Sequence, residues 1–142
     1  MLKAIDVAEY FISIADPDKG DFLTNLKIQK LLYYAQGTAM AQWSAPLFLE
    51  KIVAWNLGPV VVEVYKEFEK YGYSPIPLSE SFNLDNYADD ERELLDGVFE
   101  KYGLFSASSL VDMTHSEPPW RHAKKNSEIS IKHLQDYFSK QY

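Results

Sequence analysis

The sequence predicts a mainly α fold: a compact, multi-helix single domain around a buried central helix at about residues 25–41, with a minor β-hairpin-like element. Three observations predict it. Between Leu23 and Ala41 the residues Ile28, Leu31, Leu32, Ala35 and Ala39 recur at helical spacing, while Leu26, Tyr33, Tyr34, Met40 and Ala41 occupy the other sides. A helix apolar nearly all round belongs inside a domain, with other elements packed about it. The remaining chain divides into shorter helical patterns bounded by capping residues, glycines and prolines. Only two short stretches, about 50–56 and 74–78, read as extended, too little to form a sheet of their own.

Composition fits one domain. The chain has 142 residues, of which 46% are hydrophobic, enough apolar mass for a single core. It carries no run long enough to span a membrane and no signal-peptide pattern near its start, so a soluble, cytoplasmic protein is the expectation. The absence of cysteine excludes disulfides, thiolate catalysis and thiolate zinc sites. A net charge of −7 argues against broad binding to nucleic acid, which needs surplus Lys and Arg, and suits a basic protein partner. Ten tyrosines supply the amphipathic rings that both cores and protein interfaces favour.

In chain order, residues 2–15 form a first amphipathic helix with Ile5, Ala8, Ile12 and Ala15 on one face, ended by Asp16-Pro17. The loop Asp16–Asp21 resembles a calcium loop only superficially. Gly20 and Asp21 stand where a ligand and then glycine are needed, and Lys27 replaces the bidentate glutamate, so an acidic turn is expected. Thr24 caps the central helix through its hydroxyl. Lys27 and Lys30 are its only charges, and they lie at the end where the macrodipole disfavours cations.

After a bulky turn at Trp43–Phe48, the segment Leu49–Trp55 is read as extended. Asn56-Leu57-Gly58-Pro59 breaks it. Pro59 is then placed as the first residue of a third helix, with Val60, Val64 and Phe68 inward and Gly72 as its stop. Ile76, between Pro75 and Pro77, would pair as an edge strand near Ile52–Trp55. A polar loop over 79–88 leads to a fourth helix capped by Asp89 or Asp90, with Leu94, Leu95, Val98 and Phe99 buried and Gly103 as the stop. Phe68–Gly72 and Phe99–Gly103 share the sequence Phe-Glu-Lys-Tyr-Gly, two like helix endings rather than a repeat. Ser106 caps a short helix carrying Leu110, Val111 and Met113. Pro118-Pro119 forces a bend, Trp120 starts a helical turn, and a last helix follows Ser130 with Ile131, Leu134 and Phe138 inward.

No catalytic pattern stands out. His115 lies near Asp112 and Ser116, but sequence adjacency does not give triad geometry and no Gly-x-Ser-x-Gly elbow exists. His115, His122 and Glu117 lack the His-Glu-x-x-His spacing of a helical zinc site. His115 is read as a turn residue with a local hydrogen bond, packed near Trp120. Arg121, His122, Lys124 and Lys125 form the one basic cluster, read as cations gathered at a helix C-terminus. The acidic start of the fourth helix, Asp89, Asp90, Glu91 and Glu93, is either a turn favoured by the dipole or a docking face for a basic partner.

Three segments in series resemble the Panacea domain, the family of SocA-like and GepA-like proteins often called phage-associated. They are Leu23–Gly37, which includes Thr24, Leu31 and Tyr34; Trp55 with Gly58, Pro59, Tyr65 and Gly72; and Thr114, His115, Glu117, Pro119 and Trp120. The resemblance covers about residues 5–123 and departs near Val62, where a proline or small residue is more usual. It implies a bacterial or prophage antitoxin, cytoplasmic and not an enzyme, that binds a toxin encoded beside it, with no cofactor or metal. An adaptor role, delivering the toxin to a ClpXP-type AAA+ protease, is the alternative it carries. A nucleic-acid-binding regulator using Trp120–Lys125 is the alternative from another class, and homo-oligomerisation is left open. The matched positions read as fold-specifying. Candidate partner contacts are Lys27, Lys30, Asp89, Asp90, Glu91, Glu93, Arg121 and Lys124. Lys27 and Lys30 either close onto the acidic loop Asp16–Asp21, the preferred reading, or mark one wet edge of the core helix.

Overall fold

The computed structural model describes residues 1–142. Seven helices run in the order α1 (Ala4–Ile14), α2 (Asn25–Trp43), α3 (Val62–Phe68), α4 (Asp89–Tyr102), α5 (Ala107–Ser116), α6 (Pro118–Arg121) and α7 (Ile131–Ser139). The strands β1 (Val53–Trp55) and β2 (Gly58–Val60) stand between α2 and α3. None of these helices is long and apolar enough to cross a membrane.

Helix α2 is the axle. It packs against α1, α3, α4, α5, α7 and β2, and every residue from Lys27 to Met40 is buried. Thr24 caps it, its hydroxyl accepting from the Lys27 N–H at 3.3 Å. Ser44 ends it in the left-handed region at φ 54°. Gly37 faces α7, where an added Cβ would fall 2.2 Å from the Phe138 ring. The absent side chain is thus what seats Phe138, which with Leu134 is fully buried. Each such side chain contributes about 2–3 kcal/mol by leaving water.

Several expectations need correction. The partner of β1 is β2, not residues 74–78: Val53 pairs with Val60, Ala54 with Pro59 and Trp55 with Gly58. Asn56-Leu57 is therefore a hairpin turn, and Ile76 instead donates its N–H to the Leu23 carbonyl at 2.9 Å. Pro59 lies in β2 and α3 begins at Val62. Helix α4 is capped from Ala88, whose N–H is taken by Glu91 at 2.8 Å, rather than by Asp89 or Asp90. The buried face of α1 is set by Ala4, Val7, Ala8, Phe11 and Ile12, so Ile5 and Ala15 sit at its margin. Phe99 is half-buried and Ile131 exposed. Helix α6 begins at Pro118, ahead of Trp120. The predicted caps Ser106 and Ser130 both act as caps, accepting from Ser109 and His133 N–H groups.

Candidate functional site

Polar side chains on α2 act as clamps on the rest of the chain. Gln36 donates to the Phe48 carbonyl at 2.7 Å and accepts from the Leu47 N–H at 2.7 Å, pinning the turn that follows α2. Asn25 donates to the Tyr65 carbonyl at 3.0 Å, and Gln29 accepts from the Val61 N–H at 2.8 Å, holding β2 and α3. Lys27 donates to the Gly103 carbonyl at 2.7 Å. That oxygen lies at the C-terminal cap of α4, where the macrodipole favours a cation. Lys30, with no exposed surface, donates to the Pro59 carbonyl at 3.0 Å.

The two lysines therefore form no ion pair with Asp16–Asp21, and neither forms a wet edge. Burial lowers the pKa of both, with Asp21 partly offsetting the effect at Lys27 and Lys30 brought down to about 7. Cations at the wrong end of their own helix serve other elements instead. Asp16 and Asp21 satisfy one another's loop: the Asp16 carboxylate accepts from the Asp18 N–H and the Asp21 carboxylate from the Asp16 N–H.

The hairpin is closed on both edges. Ala54 exchanges backbone hydrogen bonds with Asn126 and Ser127, covering β1. On β2, Pro59 has no N–H and its carbonyl is taken by Lys30, so no ladder group is left open there. Gly58 has φ +109°, and a Cβ on it would lie 2.8 Å from both Lys30 Cε and Thr114 Oγ1. Only glycine fits between the clamp and α5. Trp120 of α6 donates its indole N–H to the Trp55 carbonyl at 2.8 Å, and its ring stacks on His115 with centroids 4.0 Å apart. Trp55 meets Tyr65 edge-on at 5.1 Å. The expected packing of His115 is found. Its Nε2, however, is buried without a hydrogen-bond partner.

Deeper in the core, the Glu117 carboxylate accepts from the Tyr33 and Tyr34 hydroxyls, each at 2.9 Å. Burial raises its pKa, while those hydroxyls, Tyr137 and Lys101 pull it back. Burial and the Glu117 charge in turn hold Tyr33 and Tyr34 far above the usual tyrosine range. With its oxygens engaged, Glu117 ties α2 to the α5–α6 elbow and to α7. Gln29, Gln36 and the clamping role of Glu117 are what the sequence reading missed. The available signal was polar residues interleaved in an otherwise apolar helix.

Around this framework lie two open surfaces. One is a groove of about 760 Å³ bounded by the start of α2, the hairpin and α3, with Leu26, Trp55, Leu57, Tyr65 and Tyr73 among its walls. Tyr73 is 97% exposed and Leu57 56% exposed. Leu104 and Phe105, just ahead of α5, are exposed as well. The other, of about 970 Å³, is polar and runs between α4 and the end of α2, with Asp89, Glu93, Asp96 and Glu100 along it. Asp90 is exposed beside it, while the Glu91 carboxylate is occupied in capping. Arg121 and Lys124 are exposed at and beyond the end of α6.

The geometry defines a mainly α domain in which one buried helix clamps a sealed hairpin and a proline elbow. The chain belongs to the family described as Antitoxin SocA-like, Panacea domain, which matches residues 28–121, the interval that holds the Gln29, Lys30 and Gln36 clamps, the hairpin and the elbow. Antitoxin SocA of Caulobacter vibrioides (strain NA1000 / CB15N) is 32% identical over 110 residues, covering 69% of this chain. The matched segment spans 58% of that relative's length. No solved structure matches the chain.

Proposed function

We propose that this chain is an antitoxin of a bacterial or prophage toxin–antitoxin system, and that it neutralises a cognate toxin by direct contact, without catalysis. Family membership supports the antitoxin role. The observation that carries direct contact is the groove beside the hairpin. Large apolar side chains, Leu57 and Tyr73 above all, stand in solvent around that concavity. Exposed aliphatic and aromatic groups gathered around a concavity are the usual anchors of protein interfaces. The site works in the cytoplasm, where the toxin would be made.

Co-expression with the product of the neighbouring reading frame tests the reading. Growth should be arrested by that product alone and restored when this chain is present. Rescue should persist in a host lacking the ClpXP-type protease. Rescue lost in that host would assign the chain to proteolytic delivery instead, and toxicity undiminished by the chain would refute the antitoxin reading.

A further inference from the structure

We infer that the groove between α2, the hairpin and α3 receives an amphipathic helix of the toxin, with apolar side chains facing Trp55 and Leu57 and a Lys or Arg facing Glu69. This inference rests on the antitoxin reading and names the partner's chemistry at that site.

The occupant follows from what the groove offers and what it withholds. Its walls include Leu26, Trp55, Leu57, Tyr65 and Tyr73, which fit large apolar side chains, and Glu69 is the one charged residue lining it. An added β-strand has nothing to pair with: β1 is covered by residues 126–129, and β2 by Lys30 and by the missing N–H of Pro59. Recognition must then go through side chains, as it does when a helix lies in a groove with anchors at i, i+3 or i+4 and i+7. Charge decides between partners. A second copy of this chain would bring another net −7 to a rim that already carries a carboxylate, whereas a basic helix is attracted.

The experiment uses the full chain and a fluorescent fourteen-residue amphipathic helical peptide of leucine and lysine, beside its leucine and glutamate counterpart. The lysine peptide should bind with saturation, at least tenfold tighter than the glutamate peptide. Leu57→Asp should weaken that binding tenfold or more. The substitution adds a negative charge, so attraction to acidic surface alone would strengthen binding, and that result would overturn the proposal. Glu69→Gln should weaken binding several-fold and flatten its salt dependence. Leu57 and Glu69 are exposed, so unchanged thermal unfolding of both variants is expected to accompany these losses.

Equal binding of the two peptides would also overturn the inference. So would sedimentation of the unliganded chain as a dimer that Leu57→Asp dissolves, because the groove would then belong to a second copy. The two readings fail separately. If Leu57→Asp and Glu69→Gln rescue growth as well as the unaltered chain, the groove assignment falls and the antitoxin role stands. If the lysine peptide binds as expected but no neighbouring product is neutralised, the groove is a helix site and the antitoxin reading falls.

Discussion

Lys30 and Pro59 share one hydrogen bond, 3.0 Å from ammonium to carbonyl, and it closes the outer edge of the hairpin from inside the core. A buried ammonium facing a carbonyl rather than a carboxylate is costly to keep charged, which is why burial brings the Lys30 pKa down to about 7. An unfolded lysine holds its proton to about 10.5, so between about 7 and 10.5 the unfolded state binds more protons than the folded one. Folding stability should therefore rise with pH across the lower part of this window, by up to about 1 kcal/mol per pH unit. Above the ordinary tyrosine range the buried tyrosines reverse the trend, because they ionise only after unfolding. Chemical denaturation from pH 7 to 9 measures the slope, and Lys30→Met should flatten it.

Gly58→Ala should destabilise by at least about 2 kcal/mol, since alanine is strained at φ +109° and its methyl would meet Lys30 and Thr114. Denaturant midpoints at constant slope would show it.

Two helical glycines should respond in opposite directions. Gly97 of α4 has open space where a Cβ would go, so Gly97→Ala should stabilise by about 0.5–1 kcal/mol through helix propensity alone. Gly37→Ala gains the same propensity but drives a methyl into Phe138. It should undock α7, and limited proteolysis should then clip the chain after Lys125.

Glu117→Ala leaves the Tyr33 and Tyr34 hydroxyls buried without an acceptor and should cost about 2–4 kcal/mol. Glu117→Gln tests the charge. The folded-state pKa of Glu117 is raised, so its proton favours the folded state, and this contribution is lost as pH rises through that raised value. Unfolding measured from pH 4.5 to 7 should show this fall in the unaltered chain and lose that component in Glu117→Gln.

Much of the framework can be read from the sequence because it follows local rules. Thr24, Ser106 and Ser130 cap helices through hydroxyls that need only the next turn. The depth of α2 follows from apolar residues on all its sides. What local rules do not contain is where a long polar side chain on that helix ends. Lys27 finds the end of α4, Lys30 finds Pro59, and Gln36 finds the Leu47–Phe48 backbone. Each partner is fixed by tertiary packing. The hairpin escapes local rules for a similar reason: Gly58-Pro59 also signals a helix start, and it is pairing with β1, held by Lys30 and Gln29, that makes it a strand. The groove has no local signature at all, since Leu26, Leu57 and Tyr73 are distant in sequence.

The most direct measurement is calorimetric titration of this chain into the purified product of the neighbouring reading frame. A single saturating transition at fixed stoichiometry, lost when Leu57→Asp replaces the unaltered chain, is the result expected of direct neutralisation. Growth rescue in cells with no heat and no co-eluting complex from the two purified proteins would contradict it.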